Sequence, residues 1–326
     1  MVKLKSLIKN YKKKDNLVYQ ITREVRPRQW IKNGFVFGAI VFGKKLFEVE
    51  PLLNTIIAFF VFSLAASFIY IINDIADIEK DRLHPIKKNR PIASGTLNAR
   101  TGLKVGILML IISLILAVTV NEHLFFFAIA YVLIQFAYTY YLKNYIIVDA
   151  LTVSVGFILR IFAGGVAAEV SISSWLILSV IGLSLLLAFG KRRGERTILS
   201  SKNLGLKTRK TLKDYPDTLL NSMISMAAAY TIISYSLFTF QTSPNTSTPS
   251  ILAPLLPYTL TSPKWMMLSI PLVIYGVARY LYVIYESKHS ESPERALLQD
   301  KPLLRCLGLW GSMIILFYYI LGTVNL

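Results

Sequence analysis

Four carboxylates, Asp74, Asp77, Glu79 and Asp81, follow an apolar run in the stretch INDIADIEKDRLHPIKKNRPIASG, and His84, Lys87, Lys88 and Arg90 come directly after them. On a continuing helix Asp74, Asp77 and Asp81 stand at i, i+3 and i+7, and Asn73, Asp77 and Asp81 at i, i+4 and i+8, so both sets share a face. Three like charges so close raise one another's pKa and need a counter-charge. Mg2+, a hard cation held by one or two carboxylates together with phosphate oxygens, answers that need. Lys87, Lys88 and Arg90 then offer partners for phosphate oxygens, Arg in a bidentate manner. Pro91 and Gly95 break the helix and let backbone approach a ligand. The pattern reads as a cation-assisted diphosphate site. The competing reading is an amphipathic helix at a membrane edge with Asp to Lys pairs, which requires neither Asn73 nor an acidic triad on one face.

Further charged groups gather near the ends of apolar segments. RPRQWIKN brings Arg26, Arg28, Lys32 and Asn33 ahead of one of them, either to meet a substrate or, with Trp30, to anchor in lipid headgroups. YTYYLKNYIIVDALTVSVGFILRIFAGG puts Tyr138 and Lys143 at the end of one apolar segment and Asp149 and Arg160 inside the next. Those last two are about three helical turns apart and share a face without touching. Ionisable groups inside a membrane helix are costly and face a cavity or a partner, so Asp149 and Arg160 are expected to line a functional cavity, with a structural ion pair as the alternative. GKRRGE closes a later segment with Lys191, Arg192, Arg193 and Glu195, as substrate contacts or as a topology signal.

The elements that position these groups are apolar helices. Of 326 residues 54% are hydrophobic and 17% charged, values that suit a polytopic membrane protein better than a soluble globule. A helix crosses the hydrocarbon layer with about 20 apolar residues. Spans are expected near residues 30–46, 51–73, 103–120, 123–142, 145–168, 172–190, 218–241, 265–285 and 304–323, the first of them interrupted by Gly34, Gly38 and Gly43 and closed early by Lys44 and Lys45. The fold class is therefore all-α, a transmembrane helical bundle of about nine helices, because runs of this length without turn residues favour helices over strands and lipid excludes open strand edges. Residues 1–326 read as a single membrane domain, with 1–25 a basic cytoplasmic amino-terminal segment. The stretch Gln241–Lys264 is expected to be an irregular external loop, and Glu286–Pro302 a polar cytoplasmic loop with a short helix from Pro293 to Gln299.

The basic segments, namely the amino-terminal tail, Lys80–Lys104, Lys191–Lys213 and Lys288–Arg305, alternate with connections poor in Lys and Arg apart from Lys44, Lys45 and Lys264. The positive-inside rule puts all four in the cytoplasm of a plasma-membrane protein. The net charge of +18 then reflects topology and attraction to anionic membrane lipid, and no nucleic-acid partner is expected, since the charge is spread among loops without a nucleic-acid module. No cleavable signal peptide is expected. Cys306 is the only cysteine, which rules out a disulfide within the chain and a thiolate metal cluster. A transporter would call for inverted repeats with broken helices at the midplane, whereas the acidic cluster lies at a helix end. Gly164, Gly165, Ala167 and Ala168 could pack helices within one chain or between chains, which leaves a homo-oligomer open.

NDIADIEKD resembles the first Asp-rich motif of the UbiA superfamily of intramembrane prenyltransferases, and the resemblance implies a nine-helix bundle with a Mg2+-diphosphate site on the cytoplasmic side. The blocks RPRQWIKN, YIINDIADIEKDRLHPIKKNRPIASG, LKNYIIVDALTVSVGFILRIFAGGVA, SWLILS, GKRRGE and SPERALLQDKPL, from Arg26 to about Leu304, occur in the order expected of the decaprenyl-phosphate phosphoribosyltransferase branch. Aromatic prenyltransferases of the superfamily carry a second Asp-rich motif where this chain has GKRRGE, with one carboxylate and three positive charges. The resemblance implies 5-phosphoribosyl 1-diphosphate as donor and a polyprenyl phosphate as acceptor, with a product that serves as a pentose donor for cell-envelope glycans. Asp74, Asp77 and Asp81 would hold Mg2+ as the catalytic and metal-binding set. Lys87, Arg90 and Lys143 would offset charge on the leaving diphosphate, and Arg160, Lys191 and Arg192 would clamp the 5-phosphate or the acceptor phosphate. Asp149 would meet ribose hydroxyls or orient Arg160, while Arg28, Lys32, Asn73, Tyr138 and Glu195 complete the substrate-binding set. The alternative within the superfamily moves an isoprenyl chain to an aromatic or lipid acceptor. It calls for a second acidic pair, for which Asp214 and Asp217, separated by Pro216, are the candidates.

Overall fold

The computed structural model describes residues 16–84, 86–201, 215–243, 264–286 and 299–320. The basic tail 1–15, most of the expected external loop, the helix expected before Gln299, and Lys213 and Asp214 lie outside the described residues. Among the described residues every regular element is helical: α1 (Leu17–Val25), a 3-10 segment (Pro27–Val36) running into α2 (Phe37–Phe42), α3 (Val49–Ala76), α4 (Ile78–Leu83), α5 (Ala99–Val120), α6 (Glu122–Tyr140), α7 (Val148–Ala168), α8 (Ser174–Ser201), α9 (Asp217–Thr242), α10 (Ile270–Glu286) and α11 (Lys301–Ile315), the last continued by a π turn.

Side chains at the joints start and stop these helices. Asn98 accepts from the Arg100 amide and begins α5, and Asp300 does the same for α11 through Leu303. Asn121 ends α5 and caps α6 by accepting from the Leu124 amide, while its own amide group donates to the Val166 carbonyl of α7. One residue thus makes the α5–α6 turn and ties it to a third helix.

Among the described residues eight helices are long and apolar enough to cross a membrane. The first expected span is built differently from the rest. Its glycine-rich residues do not form one α-helix; they wind as the 3-10 segment followed by α2. At about 2.0 Å per residue for the 3-10 part and 1.5 Å for the α part, these sixteen residues reach roughly 29 Å, close to a hydrocarbon thickness. Contacts at both ends agree. Arg26 pairs with Asp74 at the acidic end, and Tyr319 at the end of the last helix donates to the Val41 carbonyl at the other, 2.6 Å away. This segment completes the nine-helix expectation.

A 3-10 run of ten residues is unusual, and neighbours hold this one in place. Trp30 Nε1 donates to Ser67 Oγ of α3 at 3.0 Å, and Asn33 Nδ2 to Ser63 Oγ at 2.9 Å. Val36 is fully buried where the backbone passes α7 at Gly164. A Cβ at Gly164 would lie 1.8 Å from the Val36 carbonyl oxygen, so only glycine admits this approach. The small residues of α7 therefore pack inside one chain.

Helix α7 divides the interior. On one side Val36, Phe62, Ala66, Ala128 and Tyr131 pack with its Ala163 and Ala167; on the other Leu186, Phe189, Ile224 and Tyr280 pack with its Ala150. Outward residues of α5 such as Leu108, Ile115 and Val118 stay exposed, as a lipid-facing surface requires. Replacing Gly164→Ala should cost more than the about 1–3 kcal/mol typical of overpacking, because the obstacle is backbone. A clearly lowered thermal midpoint in detergent is expected, against little change for Gly34→Ala, whose added Cβ meets nothing within 4 Å. Equal midpoints for the two variants would contradict the close approach.

Candidate active site

The acidic motif does not run on as one straight helix. Asp77 leaves helical geometry at φ −106° and ψ 16°, between the end of α3 and the start of α4. The expected shared face is therefore split. Asp74 and Asp81 still turn the same way and are joined by Arg90, whose Nη1 lies 2.9 Å from Asp74 Oδ1 and 2.5 Å from Asp81 Oδ2. Asp77 turns instead to Lys143, 2.7 Å away, with Lys80 at 3.6 Å. Among the described residues no three carboxylates, histidines or cysteines converge on one point.

Asp74 is 1% exposed. Its second oxygen is held by Arg26, a residue in left-handed conformation at φ 55° between α1 and the 3-10 segment. Strain of that kind persists where surrounding contacts fix it, and the Arg26–Asp74 pair is such a contact. Helix α1 adds one more charge. Glu24 is also 1% exposed; no N–H reaches its oxygens, its carboxyl shares a hydrogen bond with Asp74, and Arg26 and Arg90 are its charged neighbours. Burial, and then the Asp74 charge, push its carboxyl up to about 8. Burial raises Asp81 as well, partly offset by Arg90. Lys87 lies close enough to Asp81 to favour its charge.

A second cluster stands at the same end of the bundle, at the start of α7 and the end of α8. Arg192, 2% exposed, donates through Nε to Asp149 Oδ2 at 2.6 Å, through Nη1 to Glu195 at 2.8 Å and through Nη2 to the Tyr138 hydroxyl at 2.9 Å. Asp149 is fully buried, and its other oxygen accepts from the Tyr215 hydroxyl at 2.6 Å. That hydroxyl in turn accepts from the Ile147 amide at 2.5 Å, which holds Ile147 at φ 68°. A β-branched residue rarely adopts that conformation. Burial and the bond to Asp149 push the Tyr215 hydroxyl well up, so it remains a donor. Lys191 lies among Glu195, Lys32, Arg192 and Tyr138.

One expectation changes as a result. Asp149 pairs with Arg192 and Tyr215, and Arg160 takes its partners elsewhere, so Asp149 does not orient Arg160 directly. Arg192 and Glu195 are partners of each other. Arg160 is 5% exposed and donates to Asn33 Oδ1 at 2.7 Å, the Gly156 carbonyl at 2.7 Å and the Tyr131 hydroxyl at 3.0 Å. The rings of Tyr131, Phe157 and Phe62 surround it at 4.7, 5.4 and 5.9 Å. It is a packing centre that fixes the 3-10 segment, stabilised by cation–π contacts and neutral acceptors.

The expected residues brought together at this end are Asp74, Asp77, Asp81, Arg90, Lys87 and Lys143 in one group and Lys32, Tyr138, Lys191, Arg192, Glu195 and Asp149 in the other. Asn73 is half-buried beside Asp74, and Arg28 is exposed near Arg26. Glu24, Tyr131 and Tyr215 were not legible as site residues. Glu24 left one signal, a carboxylate on the buried face of α1, beside Gln20 and Val25. Asp217, the described member of the sought second acidic pair, is exposed and paired with Arg193 and Arg196, outside both clusters.

Glu24 makes stability depend on pH. Below its ordinary value of 4.5 the folded and unfolded chains hold the proton alike; between 4.5 and about 8 only the folded chain keeps it, so stability falls as pH rises and the loss is complete above 8. Glu24→Gln should therefore raise the thermal midpoint of the protein above pH 8 and leave it unchanged near 4.5. A difference of the same size at both pH values would contradict the buried acid.

Comparison with known proteins adds to this geometry. Residues 35–299 match the UbiA prenyltransferase family. The chain is 33% identical over 310 residues to the decaprenyl-phosphate phosphoribosyltransferase of Corynebacterium glutamicum, covering 94% of this chain and 89% of that one. It is 36% identical over 229 residues to the decaprenyl-phosphate phosphoribosyltransferase of Mycolicibacterium smegmatis, covering 69% and 71%. In fold it is similar to a UbiA homologue from Archaeoglobus fulgidus bound to DMAPP and Mg2+, with TM-score 0.65 and 19% identity over 92% of this chain and 99% of that one. The same homologue bound to GPP and Mg2+ gives a TM-score of 0.63 over 91% and 96%. A family match across most of the length, relatives that are transferases and eight apolar helices lead to one conclusion: the chain belongs to the UbiA prenyltransferase family, as a multi-pass membrane transferase.

Proposed function

We propose that this protein transfers 5-phosphoribose from 5-phosphoribosyl 1-diphosphate to a polyprenyl phosphate of the decaprenyl type, releasing pyrophosphate, at the cytoplasmic face of the plasma membrane. The observation that carries this reading is the charge arrangement at one end of the bundle. An acidic cluster that suits a cation stands at the same end of the bundle as a basic cluster in which half-buried Lys191 lies beside Lys32 and Arg192, with Glu195 as the one acid near it. Like charges held together inside a protein call for an anion between them. A donor with a diphosphate and a further phosphate supplies anions for both clusters. The relatives named decaprenyl-phosphate phosphoribosyltransferase and the exposed position of Asp217, away from any second metal motif, support the same choice.

The donor set fits Mg2+. All its ligating atoms are hard carboxylate oxygens, which suit a cation that takes one or two carboxylates and completes its shell with phosphate oxygens. Asp74 and Asp77 would hold it, with Asp81 linked through Arg90. When bound, Mg2+ neutralises charge on the leaving diphosphate.

In the reaction the bond between ribose C1 and the diphosphate oxygen breaks, its electron pair leaving with pyrophosphate, and an acceptor phosphate oxygen forms the new bond to C1. That oxygen is already anionic, so no residue has to remove a proton. Lys143, Lys87 and Arg90 would pair with the departing diphosphate, and Lys191 and Lys32 with the 5-phosphate or the acceptor phosphate. The acidic face offsets the positive charge that develops at C1. The Arg192–Asp149–Tyr215 chain holds the end of α8 against α7 and so fixes where Lys191 stands. The cytoplasmic assignment follows from the concentration of Lys and Arg at this end, against Lys44, Lys45 and Lys264 at the other. The product would be a lipid-linked pentose donor for cell-envelope glycans.

The reading is tested with purified protein, Mg2+ and polyprenyl phosphate, comparing radiolabelled phosphoribosyl diphosphate with an isoprenyl diphosphate plus an aromatic acceptor. Label entering the lipid phase from the first donor, and lost on chelation, is the expected result; prenylation of the aromatic instead would replace the pentosyl reading with the isoprenyl one. Asp77→Ala should abolish Mg2+-dependent turnover in protein that stays folded. Lys191→Ala should raise the donor KM by about tenfold or more, the size of one lost charged hydrogen bond, and an unchanged KM would remove Lys191 from the donor site.

A further inference from the structure

The end of the bundle opposite Asp74 holds a cavity of about 400 Å3 that the transfer reaction does not use. Its polar lining is Lys44, just after α2, Ser171 and Ser173, in the link before α8, Thr242, the last residue of α9, and Tyr318, in the π turn after α11. Among the described residues none of these five side chains has a hydrogen-bond partner, and no acid lines the cavity. The Lys44 ammonium lies 4.9 Å from the centre of the Tyr318 ring and has no carboxylate partner. Tyr318 is 4% exposed, and a tyrosine hydroxyl buried so far normally finds a partner. The first turn of α8, whose amides lack intrahelical acceptors, borders the same space through Leu176. A lone cation, four free hydroxyls and a helix N-terminus, with no acid among them, make a receptor for an anion. The remaining wall is apolar, with Phe42, Leu176 and Phe238. A small inorganic anion would leave that wall without a partner, whereas the headgroup and first methylenes of a lipid meet both kinds of surface.

We propose that this cavity binds the phosphate headgroup of an anionic phospholipid from the leaflet opposite the transfer site, with Lys44 pairing with the phosphate and Tyr318 donating to it. A lipid seated there joins four separate parts of the chain: the end of α2, the link before α8, the end of α9 and the turn after α11. The two adjacent lysines then have different tasks. Lys45 donates to the Ala168 and Glu169 carbonyls at 3.4 and 3.1 Å and closes the end of α7. Lys44, at φ 62°, stands in a left-handed turn and keeps its charge for the ligand. The site is separate from both charged clusters and does not depend on which group the enzyme transfers.

The probe is phosphatidylglycerol, titrated into the full-length protein after delipidation in an uncharged detergent, with bound lipid read by native mass spectrometry and the thermal midpoint followed alongside. The parent should take up one phosphatidylglycerol saturably, with a rise in midpoint, and should bind zwitterionic phosphatidylcholine about tenfold more weakly or less. Lys44→Gln should weaken phosphatidylglycerol binding by about tenfold, the size of one charged hydrogen bond, and Tyr318→Phe by a smaller factor. Lys44 is exposed, so the midpoint of Lys44→Gln without lipid should equal the parent's. Lys264→Gln removes the same charge at the same end but outside the cavity, and should bind as the parent does. Unchanged affinity in Lys44→Gln, or an equal loss in Lys264→Gln, would overturn the site and leave only diffuse attraction between lipid and a basic surface. Displacement of the lipid by an equal concentration of inorganic phosphate would overturn the lipid as the occupant in favour of a free anion.

Discussion

The Asp74 carboxylate, enclosed between Arg26 and Arg90, is the interaction on which the acidic end of the molecule depends. Each oxygen takes a guanidinium from a different part of the chain, one from the hinge between α1 and the 3-10 segment and one from the turn after α4. Three elements that also share a small apolar cluster, with Ile21 of α1, Ile71 and Ile75 of α3, Ile78 of α4 and Ile92 of the following turn, are thereby held at one point. The arrangement has a cost, because burying charges loses hydration that pairing only partly restores. Removing one partner would strand the others in an apolar surround. A site of this kind is fixed by mutual need among its charges more than by packing.

The same logic governs the second cluster, with a different outcome. Arg192 has three side-chain partners and Asp149 has two, so that network is closed upon itself and serves as a frame. Lys191, one residue earlier on the helix, receives the accumulated positive potential. The division of labour between neighbours in GKRRGE is clear only in three dimensions. Arg, with its fork of donors, suits the frame, and Lys, a single mobile charge, suits a ligand that comes and goes.

The sequence made the helical class, the place of most spans and the acidic end legible, because these rest on apolar run length and on charges placed at helix ends. The sharing of Arg90 by Asp74 and Asp81 does not follow from their seven-residue spacing alone, because the helix breaks at Asp77 between them. Nor does the turn of Asp77 toward Lys143, because it depends on dihedral angles at a helix junction. Asp149 and Arg160 share a helix, and spacing alone suggested that they act together; each instead found its partners on other elements, Arg192 and Tyr215 for one and Asn33 and Tyr131 for the other. Tyr215 and Glu24 act through burial, a property of the assembled fold. The first span was expected near residues 30–46, but its 3-10 winding over Pro27–Val36 was not.

That last feature has a numerical side. Trp30 meets Ser67, and three residues later Asn33 meets Ser63, a step of four residues back along α3. Asn33 also meets Arg160, and three residues later Val36 meets Gly164, a step of four along α7. Three residues of 3-10 helix and four of α-helix both advance about 6 Å. The segment therefore works as a vernier, its three-residue pitch commensurate with the four-residue pitch of the two helices beside it, so that each rung lands on a partner. A single inserted residue between Trp30 and Val36 would put the scales out of step on both sides at once, which makes this stretch the least tolerant of length change in the bundle.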